Sequence, residues 1–459
     1  MSNATPHPAS FRDPAGFIFE SDGKIYRQVN IEGKEDHELL VGSGLYDLLT
    51  KKRLLIAHHD LSENLTGRSN WFATLQPEKL ELISYPWEWS FAMHQEAALL
   101  TLQLMRLSIE KGMILKDATP FNVQLHRGRL IFIDTLSFTR YDASKPWDAY
   151  RQFCETFLFP LYIEHYTGME GTRLLSIYPD GISAQQTAAL LPWKSKWNLG
   201  VRLHVLLQRS VATEHKESKR SLEFSKEKML HLLLHLEGII KGLRSGYPEQ
   251  SVWNHYYDAS ILGQDYLNEK TTAIQSMIAQ RNYKCVLDLG ANDGHFSKLL
   301  SSRSEFVIAS DSDRNCIQRL YLEIKNKKIG NVYPILLDIS NPSPGIGVEN
   351  KERPSFFDRV QPQLGMALAL IHHLAIGKNM PLSRIAAHWR AIAPEWIIEF
   401  VPKSDEKVKQ LLSNRPDIFT DYDQKHFEEI FSEHFIFEQI VPVKGTDRIL
   451  YYMKRKQVS

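Results

Sequence analysis

The spacing of apolar residues along the chain predicts where its first elements lie. Near the N-terminus, two runs of alternating apolar and polar residues, Gly16–Glu20 and Lys24–Val29, flank an Asp-Gly turn, which predicts a β-hairpin. From Phe91 to Lys111 apolar residues recur at every third or fourth position, which predicts a long helix that ends before Gly112. The first part of the chain, residues 1–145, is therefore expected to mix strands and helices.

The pattern changes twice in the rest of the chain. Residues 146–248 carry wide apolar faces at helical spacing and are predicted to form a helical extension that ends in a linker rich in Gly and Pro. From 249 to 459, β-rich runs such as Cys285–Leu289 and Phe306–Ser310 alternate with helical segments such as Phe296–Ser301. This alternation predicts an α/β domain with a doubly wound, mostly parallel sheet.

The first strand of that sheet leads into a glycine turn with the sequence Asp288-Leu-Gly290-Ala-Asn292-Asp-Gly294. Glycines allow a ligand to approach the backbone closely, and the helix predicted from Phe296 offers free N–H groups. The spacing differs from the G-x-G-x-x-G of dinucleotide sites. Asp288 stands at the end of its strand, where it is suited to an ammonium group rather than to a phosphate.

Two further acids follow strands of the same predicted sheet. Asp311, followed by Ser312, ends the second strand, where a carboxylate can accept both hydroxyls of a ribose. Asp338, followed by Ile339, comes after the third strand and can accept the amino group of an adenine ring. Three such carboxylates around one glycine turn favour a cationic adenosine ligand without phosphates. A tight turn that binds no ligand is the alternative interpretation.

These motifs resemble those of class I S-adenosylmethionine-dependent methyltransferases. The segment Met366–Leu374, predicted to be a strand as far as Ile371, resembles the fourth-strand motif of that family, which often ends in His-His-Leu. The acid that usually opens this strand is absent, since Leu364 and Gly365 stand there. Several segments, among them Trp253–Tyr257 and Ile398–Pro402, also resemble a bacterial group named after NoeA-type nodulation proteins.

The resemblance implies a Rossmann-like methyltransferase domain over 249–459, with S-adenosylmethionine as cofactor. It does not identify the methyl acceptor, which we expect to be a small molecule or a glycan. The cofactor is expected to contact the glycine turn and the strand ends, namely Asp288, Gly290, Asn292, Gly294, Asp311, Ser312, Asp338 and Ile339. His372, His373 and Glu399 are the candidates to accept a proton near the acceptor. Since successive strand residues point to opposite faces, at most one of the two histidines is expected to face the ligand. Structural roles are the alternative for all three.

A second constellation lies in the N-terminal part. Asp117 precedes Asn122 by five residues, and a second hairpin, predicted over Asn122–Leu125 and Arg129–Asp134, leads to another acid. Protein kinases place a catalytic Asp and two metal-binding residues at comparable positions, so this region resembles a kinase lobe. The glycine-rich loop is missing, however, and Arg27 is the nearest candidate for the strand lysine. A phosphotransferase or bifunctional enzyme is thus one alternative function, and a catalytically inactive binding or scaffold protein is another.

Composition restricts the classes of binding partner and the cellular compartment that we expect for this protein. Lys and Arg number 55 and Asp and Glu 54, a net charge of +1 that indicates no overall attraction to nucleic acid or membrane, although a local patch stays open. Cys154, Cys285 and Cys316 are widely spaced, which favours a reducing compartment. The sequence shows neither a signal peptide nor an apolar run of the ~18 residues that a membrane helix needs. We therefore expect a cytoplasmic protein whose oligomeric state the sequence leaves open.

Overall fold

The computed structural model describes residues 4–209, 225–248, 264–413 and 415–457. Two compact units divide the chain, the first formed by Met1–Pro248 with Gly345–Pro354 and the second by Glu249–Pro344 with Ser355–Ser459. The helical residues 146–248 and the preceding residues 1–145 therefore share one unit.

The segment Gly345–Pro354 belongs to the first unit, although the sequence places it inside the C-terminal domain. Two contacts hold it there. Arg12 donates to both carboxylate oxygens of Glu352, at 2.8 and 3.1 Å, and the guanidinium of Arg353 lies 4.1 Å from the ring centre of Phe121. Both contacts join residues more than two hundred positions apart, so periodicity along the chain carries no sign of them.

The strands of the first unit are β1 (Thr5–Pro6), β2 (Gly16–Ser21), β3 (Lys24–Asn30), β4 (His58–Leu61), β5 (Trp71–Pro77), β6 (Met113–Leu115), β7 (Val123–His126), β8 (Arg129–Phe132) and β9 (Phe138–Arg140). The first five form an antiparallel sheet in the order β1-β2-β3-β5-β4, while β6 pairs with β9 and β7 with β8.

Both predicted hairpins are confirmed, and their turns explain why. Asp22 and Gly23, between β2 and β3, have φ values of 51° and 71°. Arg127 and Gly128, between β7 and β8, have values of 48° and 76°. Two consecutive left-handed residues match the twist of the flanking strands, which is why Asp-Gly and similar pairs favour such turns.

The helices of the first unit are α1 (Lys34–Gly42), α2 (Leu45–Lys51), α3 (Phe91–Glu110), α4 (Tyr150–Phe153), α5 (Phe159–Thr167), α6 (Ala184–Leu190), α7 (Leu199–Val201) and α8 (Lys226–Gly242). The predicted long helix is confirmed as α3, which begins where the Ser90 side chain accepts from the N–H of Met93 and ends before Gly112 in left-handed conformation. π-Helical turns over Cys154–Leu158 and Arg202–Leu206 continue α4 and α7.

The strands of the second unit are β10 (Tyr283–Leu289), β11 (Ser304–Asp311), β12 (Val332–Leu336), β13 (Leu364–Ala367), β14 (Glu395–Phe400), β15 (Phe435–Pro442) and β16 (Ile449–Arg455). They form one sheet in the order β12-β11-β10-β13-β14-β16-β15, parallel from β12 to β14 and antiparallel at β16 and β15. The predicted mostly parallel sheet is confirmed. Strand order reverses between β10 and β13, and crevices at such a point are where α/β sheets bind ligands.

The helices of the second unit are α9 (Gln264–Ile278), α10 (His295–Leu300), α11 (Arg314–Lys327), α12 (Phe356–Arg359), α13 (Leu382–Ile392), α14 (Glu406–Leu412) and α15 (Gln424–His434). They pack on a sheet whose central strands are almost fully buried, and the rings of Trp389 and Trp396 stack with centres 4.8 Å apart where α13 meets β14. Among the residues that the structure describes, none of the helices has the length and hydropathy needed to span a membrane.

One predicted strand is wrong in its extent. The run Met366–Ile371 was expected to stay extended, but β13 ends at Ala367, and Ala369 has a φ of 49°. The chain is helical at Ile371 and His372 and continues in a π-helical turn over His373–Gly377. A short, continuous apolar run fits a buried strand and a buried helix equally well, so its hydrophobicity alone does not place the boundary.

Candidate functional site

The glycine turn follows β10 directly at the point where the strand order reverses. Gly290, Asn292 and Gly294 have φ values of 73°, 52° and 75°, in the left-handed region that Gly and Asn adopt most readily. A Cβ at Gly294 would lie 2.6 Å from Cδ1 of Leu320, so helix α11 also requires glycine at this position. The residue types that the sequence displays are therefore those that this backbone path needs.

The five backbone N–H groups from Gly290 to Gly294 all donate hydrogen bonds within the protein. The first two reach the carbonyl oxygen of Ser310 at 2.8 and 2.9 Å. The third reaches Asp311 Oδ2 at 2.8 Å, and the last two find acceptors inside the turn at 2.7 and 2.9 Å. A phosphate-binding turn presents such groups to its ligand. All five N–H groups of this turn are already bonded within the protein, so the turn is poorly suited to bind phosphate.

Asp288 lies in β10 immediately before the turn and is only 2% exposed. Its Oδ2 accepts a hydrogen bond from the hydroxyl of Ser297 on α10, at 2.5 Å. Burial raises the pKa of the Asp288 carboxyl to about 7, and the negative charge of Asp311 adds to the rise, against the opposing effects of Ser297 and Lys270. Two neighbouring buried acids of this kind are stabilised by a ligand that brings positive charge.

Asp311 ends β11 as predicted, and its carboxylate holds the turn in place. Oδ2 accepts the N–H of Asn292 and Oδ1 accepts the N–H of Asp313, both at 2.8 Å. Burial raises the pKa of Asp311, and these N–H donors oppose the rise. Each oxygen keeps a lone pair for a further donor. Ser312, the next residue, is exposed.

Asp338 lies two residues beyond β12, and Ile339 follows it, half-buried. The Asp338 Oδ1 accepts from the N–H and the hydroxyl of Ser340 at 2.9 and 2.6 Å, and Lys378 Nζ lies 3.6 Å from Oδ2. Although burial acts in the opposite direction, these donors lower the pKa of Asp338, which keeps it ionised. The N–H of Leu337 donates to the Asp311 carbonyl at 2.8 Å, so the structure brings both acids to the same edge of the sheet.

The two histidines lie on a helical segment, not on a strand end, so the expectation that they point to opposite faces is wrong. Their rings are 4.1 Å apart, centre to centre. His372 is completely buried, and neither of its ring nitrogens has a hydrogen-bond partner within the described parts of the chain. Burial, with help from the charge of Arg448, takes the pKa of His372 well below its usual range and that of His373 to about 4. Both imidazoles are therefore neutral at physiological pH.

Glu399 is fully buried on β14, where it accepts hydrogen bonds from two side chains and forms an ion pair with a third. Tyr266 Oη donates to Oε1 and Lys270 Nζ to Oε2, both at 2.5 Å, and Arg448 lies 3.6 Å from Oε1. Arg448 in turn bonds Tyr266 at 2.8 Å and Asp405 at 2.7 Å. We call these five side chains the Glu399 network. The predicted role of Glu399 as a proton acceptor is not supported, because the carboxylate already neutralises buried cations.

The sequence reasoning missed most of the Glu399 network. Tyr266 and Lys270 come from α9, 133 and 129 residues before Glu399, and Arg448 comes from the loop before β16. No local motif joins them, although Tyr266 and Lys270 share one helix face at i,i+4 spacing. The segment Trp253–Tyr257, which contributes to the family resemblance, lies outside the described residues.

In the first unit, the structure brings Asp117, Asn122 and Asp134 into one cluster. Asn122 Nδ2 donates to the hydroxyl of Ser137 at 3.1 Å, and that hydroxyl donates to Asp134 Oδ2 at 2.6 Å. Arg27 forms an ion pair with Asp134, and burial together with the charge of Asp134 raises the pKa of Asp117. The guanidinium of Arg27 thus neutralises Asp134, one of the two residues expected to hold a metal ion, and the kinase-like assignment is not confirmed.

A metal-dependent centre finds no support elsewhere in the described residues. Over 4–209, 225–248, 264–413 and 415–457, no group of three His, Cys, Asp or Glu side chains is placed to hold a metal ion.

Comparison with known proteins gives one relative over the full length. The chain is 31% identical over 477 aligned positions to the nodulation protein NoeA of Rhizobium meliloti strain 1021, covering 99% of this chain and 98% of that protein. No protein-family model matches the chain. Among solved structures, the N-methyltransferase NodS of Bradyrhizobium japonicum WM9 with S-adenosyl-L-homocysteine matches with a TM-score of 0.34 and 12% identity, covering 46% of this chain and 95% of that one. The magnesium protoporphyrin IX methyltransferase of Synechocystis PCC 6803 matches with a TM-score of 0.33 and 13% identity, covering 44% and 93%.

Proposed function

The chain belongs to the family of the nodulation protein NoeA, and we propose that its second unit transfers a methyl group from S-adenosylmethionine to an acceptor. One observation carries the proposal. At the reversal point of a doubly wound sheet, the N–H groups of the glycine turn are used internally while Asp288, Asp311 and Asp338 gather at the strand ends. Such a crevice rejects a phosphate and favours a cationic adenosine compound.

The residues present fit the three parts of this cofactor. Asp288, whose pKa is raised by burial and by the charge of Asp311, is suited to receive the positively charged methionine end. Asp311 offers two carboxylate lone pairs to the ribose hydroxyls, and Asp338 stays ionised to accept the adenine amino group. Asn292 and Gly294 bend the turn, while Gly290 gives the ligand access to the backbone. Ser312 and Ile339, which follow Asp311 and Asp338, are exposed and half-buried, and we propose that they also contact the cofactor.

The bound cofactor would supply an electrophilic methyl group on a sulfonium, and this chain would supply position and surroundings. Exclusion of water from the closed site and in-line placement of the acceptor would supply much of the rate acceleration. Of the two neutral imidazoles, only that of His373 is partly exposed and suited to orient an acceptor by hydrogen bonding, since His372 is completely buried. Burial disfavours proton uptake by either histidine, and the charge of Arg448 adds to this effect. Glu399 acts indirectly, by holding α9 against β14.

We propose a small molecule or a glycan as the acceptor. A net charge of +1 gives the chain no overall attraction for a polyanion, which speaks against nucleic acid as substrate. No observation favours phosphotransfer, because Arg27 neutralises Asp134 and the turn that would hold nucleotide phosphates is missing from the sequence.

Calorimetry with S-adenosylmethionine, S-adenosylhomocysteine and Mg-ATP tests the cofactor assignment. We expect binding of the first two and none of the third. Transfer of a labelled methyl group to fractionated cell extract then identifies the acceptor class. Absence of binding by both adenosyl compounds would exclude the proposed activity, whereas binding without labelling of any fraction would favour a binding or scaffold protein.

A further inference from the structure

Within residues 4–209 and 225–248, the first unit carries a group of large apolar side chains that are exposed. They lie on a short 3₁₀ turn, Trp193–Trp197, and on the helix that begins at Leu199 and continues through the π-helical turn Arg202–Leu206. Trp193 and Trp197 are 65% and 79% exposed, although tryptophan is a residue that proteins usually bury. The exposure of these two tryptophans favours a surface that binds a partner.

The helix is apolar on two opposite sides. Its inner side, with Val201, His204 and Val205, is buried. Its outer side carries Leu199, Leu203 and Leu207, which are 41 to 60% exposed. A helix that is apolar all round is normally buried on all sides, whereas this one leaves one side open. The two tryptophans and the three outer leucines together form what we call the Trp–Leu surface.

The charged residues around the Trp–Leu surface indicate what kind of partner covers it. Lys194, Lys196 and Arg202 are exposed among its apolar residues. Between Asp180 and Glu214 the sequence contains no Asp or Glu at all, in a chain whose charges otherwise balance to +1. The positive charge is thus local and coincides with the apolar surface. Tryptophan with interspersed Lys and Arg is typical of segments that lie in the interface of an anionic bilayer.

We propose that the Trp–Leu surface docks the protein reversibly onto an anionic lipid surface. The tryptophan rings and outer leucines would enter the headgroup region, with the two lysines and Arg202 against the lipid phosphates. The helix lies in the plane of the membrane in this arrangement and does not cross it. The proposal is independent of methyl transfer, since it concerns a surface of the first unit alone.

The test uses the full chain and vesicles of phosphatidylcholine, with or without phosphatidylglycerol, in a sedimentation assay. We expect binding to the anionic vesicles, little to the neutral ones, and weaker binding as salt rises. Trp193→Ser with Trp197→Ser should reduce the partition coefficient by about tenfold or more, and so should Lys194→Gln with Lys196→Gln. Ile418→Ser, at an exposed aliphatic residue of the second unit, is the matched control and should bind as the parent does.

Circular dichroism and thermal unfolding establish that the variants fold, and the lysine variant keeps every apolar side chain in case the tryptophan variant does not. The proposal is overturned if the parent protein does not bind anionic vesicles, or if both double variants bind them as tightly as the parent does. It is also overturned if analytical ultracentrifugation shows a dimer that the tryptophan variant abolishes while vesicle binding is absent, because a second copy of the chain would then cover the surface.

Discussion

Replacing Glu399 by Gln removes the negative charge at the centre of the Glu399 network, where Lys270 is 1% exposed and Arg448 is fully buried. Arg448 keeps its bonds to Asp405, but Lys270 loses the carboxylate that it bonds at 2.5 Å and keeps the weaker contact to Tyr266 at 3.4 Å and its position over the ring of Phe296. A buried charge left without its partner costs about 3–5 kcal/mol. We expect Glu399→Gln to lower the free energy of unfolding by this amount.

Glu395→Gln is the matched control, because it makes the same change at the other acid of the same strand. Glu395 accepts from Arg281 at 3.0 and 3.1 Å and from the hydroxyls of Tyr283 and Tyr452 at 3.0 and 2.7 Å. Arg281 is 30% exposed, so water can replace part of the lost interaction, and the tyrosines can still donate to the amide oxygen. We expect a loss of roughly 1 kcal/mol.

Urea unfolding of both variants at several pH values measures these differences. Burial opposes ionisation of Glu399, but Lys270 and Arg448 outweigh it and lower its pKa below the ordinary value of 4.5. The stability that this carboxylate contributes is therefore present above pH 4.5 and is lost as the pH falls through its folded pKa. The parent should thus lose stability relative to Glu399→Gln on acidification below that value.

A different outcome would identify Glu399 as a general base after all. If Glu399→Gln unfolds within about 1 kcal/mol of the parent, yet loses methyl transfer with a changed pH profile, the reasoning from burial and ion pairing is wrong.

Three further predictions concern the acids of the two sites. Asp311→Ala should weaken S-adenosylhomocysteine binding by roughly 2–4 kcal/mol in calorimetry. The loss of binding free energy should be smaller for the 2′-deoxyribose analogue, and equal losses for both ligands would contradict the assignment of Asp311 to the ribose. Because the pKa of Asp288 is raised to about 7, a cationic ligand should bind more tightly as the pH rises through 7. Binding below about pH 7 should release a proton, which S-adenosylmethionine titrations in two buffers of different ionisation enthalpy should detect; a pH-independent affinity would contradict this. Asp134→Asn should cost roughly 2–4 kcal/mol in stability by leaving Arg27 unpaired, with methyl transfer unchanged, whereas micromolar Mg-ATP binding that this variant abolishes would reveal a phosphotransferase.

Local chemistry explains which elements could be predicted from the sequence. The Asp22-Gly23 turn, the period of α3 and the alternation of strands with helices after residue 249 each express a constraint between neighbours along the chain. The same holds for the placement of Asp288 and Asp311, because the carboxyl ends of parallel strands meet at one edge of the sheet. Periodicity and turn chemistry are sufficient for features of this kind.

What could not be predicted depends on contacts between distant parts of the chain. Glu399 lies near the end of a strand, a position in the sequence that fits a solvated acid. Its contacts with Lys270 and Arg448, which come from distant parts of the chain, make it the anion of a buried network. The segment Gly345–Pro354 likewise joins the first unit through contacts to Arg12 and Phe121. The histidine pair was misplaced for another reason, since the apolar residues before it allow either helix or strand.

The direction of a few N–H groups distinguishes the second unit from a dinucleotide-binding domain of similar outline. A glycine turn after the first strand is common to many α/β sheets, and the sequence alone shows only that the glycines are spaced differently. In this turn, left-handed residues at Gly290, Asn292 and Gly294 turn the backbone donors back toward Ser310 and Asp311. The crevice therefore presents carboxylates to its ligand in place of N–H groups, and the preferred charge of the ligand changes from negative to positive. The class of ligand that suits this turn follows from which of its N–H donors already have acceptors within the protein, a property that a glycine count does not reveal.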